Sequence, residues 1–188
     1  MQRDVMIDLE TLGNRPGCSI LSIGAVAFDE NGLGPEFYCV VSRESCQKFG
    51  LHEDPETRQW WENKPEAARK VITEAKRGNA LPAALVMLGN FIGQFDADEV
   101  RIWGNGSDFD NAILACAYAA TGFRLPWKFW NNRCYRTLKN LHPGITMKRQ
   151  GTHHNALDDA KSQALHAIEI LWPATPSQAK EAELEQVQ

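Results

Sequence analysis

The sequence predicts a mixed α/β fold, an antiparallel meander of strands first and then helices alternating with short strands. Two observations carry this reading. Runs rich in β-branched residues, broken by a Gly-containing turn, crowd the first 41 residues. Beyond them apolar residues recur at helical spacing, with only a short extended run between. At 188 residues the chain suits one domain with one sizeable core.

Residues 5–9 read as a short buried strand with an acid inside it. Residues 19–28, SILSIGAVAF, form a second strand closed by the turn Asp29-Glu30-Asn31-Gly32. Residues 36–41 form a third, so the chain opens with a three-stranded meander. Asp54-Pro55-Glu56-Thr57 is a cap with Pro at the first helical position, and Pro65 restarts a second short helix. Residues 81–95 give a longer helix with Leu81, Leu85, Leu88 and Ile92 on one stripe. Residues 100–103 are a short strand before Gly104, and residues 110–120 an Ala-rich helix capped by Asp108. Residues 136–141 form a short helix. The last helix starts at Asn155, a good N-cap, with Asp158 three residues on completing a capping box. Its buried stripe is Leu157, Ala160, Ala164, Ile168 and Leu171, and Pro173 ends it. Residues 1–174 are expected to form a single domain, and residues 175–188, polar and acidic, a disordered tail.

Composition narrows the function classes. No stretch approaches the roughly 18 apolar residues of a membrane span. The N-terminus enters an apolar run containing an acid, unlike a signal peptide, which points to a cytoplasmic protein. The five cysteines lack CxxC or CxxH spacing, so free or buried thiols are expected rather than zinc ligands or disulfides. The net charge of −4 argues at first against nucleic acid. Yet residues 111–157 contain no Asp or Glu and carry Arg124, Lys128, Arg133, Arg136, Lys139, Lys148 and Arg149. Such a stretch suits backbone phosphates, although charge alone equally fits a solvated basic face.

Three motifs carry chemistry. Asp8 and Glu10, two apart on a strand, point to one face and present paired carboxylates. Buried like charges need neutralising, and hard oxygen ligands suit Mg²⁺ or Mn²⁺. Asp110 opens a helix after the Gly-rich turn Gly104-Asn105-Gly106, where an acid also serves the helix dipole. His154 lies just outside the last helix, five residues before Asp159, and a histidine near neutrality can take a proton from water.

Together, Asp-x-Glu on the first strand, Phe109-Asp110 after a mid-chain strand, and His154-Asn155-Ala156-Leu157-Asp158-Asp159 resemble the DEDDh branch of the DnaQ-like 3′→5′ exonucleases. The tyrosine branch is excluded because Asn155 stands where its Tyr would be. Asp8-Leu9-Glu10-Thr11-Leu12-Gly13, residues 21–26, residues 57–61 and residues 103–110 resemble most the compact bacterial and phage subgroup that includes the mycobacterial 3′–5′ exoribonuclease.

The resemblance implies an RNase H-like mixed five-stranded sheet, meander first and then parallel strands, flanked by helices. It implies two ions of Mg²⁺ or Mn²⁺, with Asp8 bridging, Glu10 and Asp159 completing the shells, and Asp110 binding directly or through water. His154 would be the general base, and nucleoside 5′-monophosphates the product. Thr11 and Leu12 become candidates for holding the terminal nucleotide, with Phe109 beside them. Adjacent helical residues do not share a face, so one of Trp60 and Trp61 is core. Trp61 is a candidate for stacking on a base, a contact worth roughly 1–3 kcal/mol, but the sequence leaves open which of the two stacks, and two tryptophans at the core edge fit equally well. Arg133, Arg136 and Lys148, with Lys139 and Arg149, are candidates for the backbone of a single-stranded 3′-end of DNA or RNA. A homodimer is implied by analogy alone. The rival readings are an inactive nucleic-acid-binding module of the same fold and an RNase H-like endonuclease.

Overall fold

The computed structural model describes residues 3–173, so the tail expected from residue 175 on lies outside the described residues. Strand β1 (Asp4–Thr11) lies at the centre of a five-stranded sheet, and its near-continuous burial reflects cover on both faces. Strands β2 (Ile20–Asp29) and β3 (Gly32–Val40) follow as an antiparallel meander. On the other side of β1, β4 (Arg101–Gly104) and β5 (Asn132–Cys134) add in parallel, giving the order β3-β2-β1-β4-β5. The expected mixed sheet is therefore present. β5 is invisible in the sequence because three residues after a 3₁₀ turn (Phe129–Asn131) show no alternation. Only pairing with β4 makes them a strand. β3 begins at Gly32 rather than Glu36. Its first half, GLGP, has no β pattern, and Pro35 is tolerated on an edge strand.

Helix α1 (Arg43–Lys48) is also unforeseen, being too short for periodicity; the Ser42 hydroxyl caps it by accepting from Ser45 N. Helix α2 (Pro55–Glu62) starts where expected, but the Asp54 carboxylate makes no cap bond and instead pairs with Arg15 at 3.3 Å. Helix α3 (Glu66–Glu74) follows Pro65. Helix α4 (Leu81–Ile92) buries Leu81, Leu85, Leu88 and Ile92 as expected, but ends at Gly93, before Phe95. Helix α5 (Asp110–Ala120) spans the expected residues, although Asp108 is not its cap. Asp108 is exposed, and Phe109 takes the N-cap position without a side-chain bond. Helix α6 (Tyr135–Leu141) leads to the last helix, α7 (Ala156–Leu171). No helix among the described residues is long and apolar enough to cross a membrane.

Alternation along β1 sorts its side chains between two layers. Val5, Ile7 and Leu9 join the larger cluster with α4 and α5. Met6 faces the opposite layer, with Ala160, Ala164 and Ala167 of α7. Asp8 and Glu10 continue the Met6 face, towards α7.

The seating of α7 differs from the expected stripe. Asn155 caps it, accepting from Leu157 N at 3.1 Å and Asp158 N at 3.2 Å. Asp158 does not close a capping box, because its carboxylate accepts from Thr152 N at 2.7 Å and ties down the preceding loop. Ala156, Ala160, Ala164 and Ala167 are fully buried, whereas Leu157 and Ile168 are half-buried and Leu171 is 36% exposed. The reason is close approach. A Cβ on Gly24 of β2 would lie 2.2 Å from the Ala156 carbonyl carbon, so the helix rests on bare strand backbone and only small residues fit beneath it. Gly24→Ala should therefore push α7 off the sheet. The expected destabilisation is roughly 1–3 kcal/mol or more, read as a lowered urea midpoint; an unchanged midpoint would refute this seating.

Candidate active site

The site forms where β1, the turn after β4 and the start of α7 converge. Asp8 and Glu10 come from β1 and Asp159 from the first turn of α7. One oxygen from each lies within 4.8 Å of the others. Glu10 and Asp159 are buried, and Asp8 keeps an edge open to a cavity of about 560 Å³. Burial, reinforced by the charges of Asp110, Glu10 and Asp159, raises the Asp8 carboxyl well above its ordinary range. Burial, with Asp159 and Asp110, pushes Glu10 up to about 8. Each shift is the signature of negative charges confined together without enough counter-charge.

Asp110 stands apart from this trio. Its Oδ1 accepts from Leu9 N at 3.1 Å and its Oδ2 from Asn105 N at 2.6 Å, which ties β1 to the turn entering α5. Burial still raises its pKa to about 6, although those backbone bonds and Arg136 oppose the rise.

His154 sits beside Asp159 in a left-handed backbone conformation, φ 65°, costly for a residue other than glycine. Its backbone N–H donates to Asp159 Oδ2 at 2.9 Å. Its ring stacks on His153 at 3.7 Å and meets the edges of Trp60 at 4.9 Å and Trp61 at 6.0 Å. Burial, helped by His153 and Lys64, lowers its pKa to about 4, so the imidazole is neutral at pH 7.

The remaining expected residues divide. Thr11 and Phe109 line the cavity; Leu12 does not, because it is buried in a cluster with Leu21 and Trp61. Trp61 borders the cavity, but it is 1% exposed and its Nε1–H donates to Thr11 O at 2.9 Å, so it presents little face to a base. Trp60 is the exposed member of the pair, at 43%, with Lys64 Nζ 3.7 Å from its ring centre. Arg136, Lys139 and Arg149 line the cavity. Arg133 and Lys148 do not, and the Arg133 guanidinium donates to Trp130 O and Asn132 O. Arg149 ion-pairs with Asp159 at 2.7 Å, the one such pair reaching the carboxylate trio among the described residues. Gln163, absent from the sequence reading, donates to Asp8 Oδ1 at 2.7 Å. Its position four residues after Asp159 on one helix was the available signal.

The trio's donors are all oxygen, its charges are alike and burial suppresses the ionisation of Asp8 and Glu10. That combination fits a hard divalent cation. A meander-first mixed sheet with Asp8, Glu10, Asp110, His154 and Asp159 at one end defines a 3′→5′ exonuclease of the DEDDh type. The 3′-5′ exoribonuclease Rv2179c-like domain matches residues 3–171, and the chain belongs to that family. Such enzymes use divalent metal. A protein of Enterobacteria phage T4, an exodeoxyribonuclease, is 28% identical, with 71% of this chain and 69% of that one covered. The nuclease domain of 3′hExo, a DEDDh family member bound to rAMP, is 16% identical with a TM-score of 0.61, covering 89% of this chain and 90% of that one. The E. coli ExoI–ssDNA complex is 16% identical with a TM-score of 0.59, covering 98% and 43%. At that identity the two solved structures establish the shared fold.

The pKa shifts set a testable stability profile. Glu10, raised from 4.5 to about 8, contributes stability that is complete below its unfolded pKa and lost as pH rises through 8. Asp8 acts in the same direction. His154, lowered from 6.5 to about 4, acts oppositely but only below pH 6.5. Between pH 6.5 and 8 the metal-free protein should thus melt at progressively lower temperature. Glu10→Gln should flatten that decline, and added divalent metal should reverse it. Melting curves in EDTA that are flat with pH for both proteins would refute the buried, repelling cluster.

Proposed function

We propose that this protein removes nucleoside 5′-monophosphates successively from the 3′-end of single-stranded DNA or RNA, with Mg²⁺ or Mn²⁺ as cofactor. The observation that carries the reading is the trio of clustered carboxylates opening with a neutral imidazole onto one cavity. The family's designation as exoribonuclease and the phage relative's as exodeoxyribonuclease support either sugar. The ssDNA held by one structural neighbour and the rAMP held by another support a 3′-terminal nucleotide as the ligand.

Asp8, Glu10 and Asp159 would hold the metal. Asp110 would contribute directly or through water, since each of its oxygens keeps a lone pair beyond the backbone N–H it accepts. When bound, a pair of divalent ions stabilises the attacking and leaving oxygens of the phosphodiester. His154 has a ring lone pair free at neutral pH to take the proton of the attacking water. Asp159 holds the His154 backbone, and the edges of Trp60 and Trp61 limit ring rotation. Arg149 exchanges Asp159 for a phosphate oxygen as substrate enters, since a guanidinium suits either anion. Arg136 and Lys139 lead the chain inward, and Trp60 rather than Trp61 provides the stacking face. Thr11 and Phe109 close around the terminal nucleotide.

Asp8→Ala should lower turnover by orders of magnitude with an unchanged circular dichroism spectrum, and EDTA should abolish wild-type activity until metal is restored. His154→Ala should lose about 10²–10⁴-fold in kcat and His153→Ala far less. A reversal of that order in a mononucleotide-release assay would reject His154 as the base. In an Asp8→Ala background, Arg136→Ala, Lys139→Ala and Arg149→Ala should each reduce the log–log salt slope of single-strand binding by about 0.7. Arg133→Ala and Lys148→Ala should leave it unchanged. Equal slopes for all five variants would show that the cavity's cations do not contact phosphate.

A further inference from the structure

Gln163 belongs to none of the sequence motifs, yet it is 5% exposed and lies on the cavity wall. It stands one helical turn beyond Asp159 on the same face of α7. The seat of α7 on Gly24 delivers that face to Asp8, because Gly24 is the register partner of Asp8 across β1 and β2. There Gln163 Nε2 donates to Asp8 Oδ1 at 2.7 Å. Its other polar atom, Oε1, is buried and accepts from no donor among the described residues.

These two atoms constrain what the side chain does. With a cation bound the Asp8 carboxylate is ionised and only accepts, so the amide N–H then faces Asp8, as it does here, and Oε1 faces away from it. A carboxylate oxygen has two lone pairs, so Asp8 Oδ1 can accept from Gln163 and still bind a cation. A buried amide oxygen is costly without a donor. A residue serving only to fill space here would be better as Met or Leu, which carry no such atom. Water bound to a cation directs its hydrogens outward and is a donor of the right kind for Oε1.

We propose that Gln163 is a positioning residue of the metal centre: Nε2 orients the Asp8 carboxylate towards the cation, and Oε1 accepts from a water bound to that cation. The inference rests on the reading of Asp8, Glu10 and Asp159 as metal ligands. Partners that orient a ligand in this way typically change metal affinity by about 10–100-fold when removed.

The test is Mn²⁺ titration of the full-length, substrate-free protein by calorimetry. Gln163→Met keeps the length and bulk of the side chain and removes both bonds. Gln163→Asn keeps the amide but withdraws it from Asp8, and it carries the same test if the Met variant does not fold. Both should bind Mn²⁺ about 10–100-fold more weakly. Their KM for a single-stranded 3′-end should be unchanged, and the kcat lost at low Mn²⁺ should recover as Mn²⁺ is raised. Wild-type Mn²⁺ affinity in both variants would overturn the inference, even if the melting temperature fell, since that would leave only a packing role. Asp8→Asn, titrated alongside, separates the two levels. If it loses Mn²⁺ binding while the Gln163 variants do not, the metal centre stands and the role of Gln163 falls. If it binds as wild type does, the metal centre and the inference fall together.

Discussion

Asp8 on β1 and Asp159 on α7 can face each other only because α7 lies against bare backbone at Gly24. A side chain there would meet the Ala156 carbonyl carbon at 2.2 Å and lift the start of the helix from the sheet. The rest follows from that contact. It requires the alanine face of α7, it places Asp159 one side-chain length from Asp8 and Glu10, and it brings Gln163 onto Asp8 a turn later. The same seating sets the helix start, from which the loop carrying His154 is hung through Asn155, Asp158 and Thr152.

The carboxylates so gathered repel one another, and the protein balances that repulsion unevenly. Arg149 answers Asp159 alone, and Gln163 offers Asp8 a neutral dipole. Asp110 is stabilised by two backbone N–H groups, which explains why its pKa rises less than that of Glu10. The unmet negative charge makes the trio receptive to cations and would otherwise exclude an anionic substrate. His154 pays for its place differently, in a left-handed backbone conformation held by the Asp159 carboxylate and two tryptophan edges. Its depressed pKa leaves the ring uncharged at neutral pH despite the acids nearby.

Parts of this architecture were legible in the chain, and the reason is local. The strands of the meander show apolar runs broken by a turn, Leu81 to Ile92 shows helical spacing, and Asn155 announces the last helix by its own side chain. Elements of three to six residues, such as β5 and α1, contain too few positions for a period to appear. Asp108 looked like a cap and Asp158 like a capping-box partner because those positions favour such residues, but Phe109 took the first position and the Asp158 carboxylate went to Thr152 N.

The amino-acid sequence by itself determined the order of the long elements, the Asp8, Glu10, Asp110, His154 and Asp159 motifs, and through them the family. Those motifs survive as spacing along the chain, which requires no knowledge of what lies across the sheet. The tertiary structure alone decided that Trp60 and not Trp61 meets solvent, that Leu12 is core, and that Arg136, Lys139 and Arg149 rather than Arg133 and Lys148 border the site. It also decided that Gln163 meets a carboxylate 155 positions away in sequence. Exposure and partnership of a side chain depend on which distant backbone packs against it, and for Gln163 that is set by how closely α7 approaches the sheet at a residue with no side chain at all.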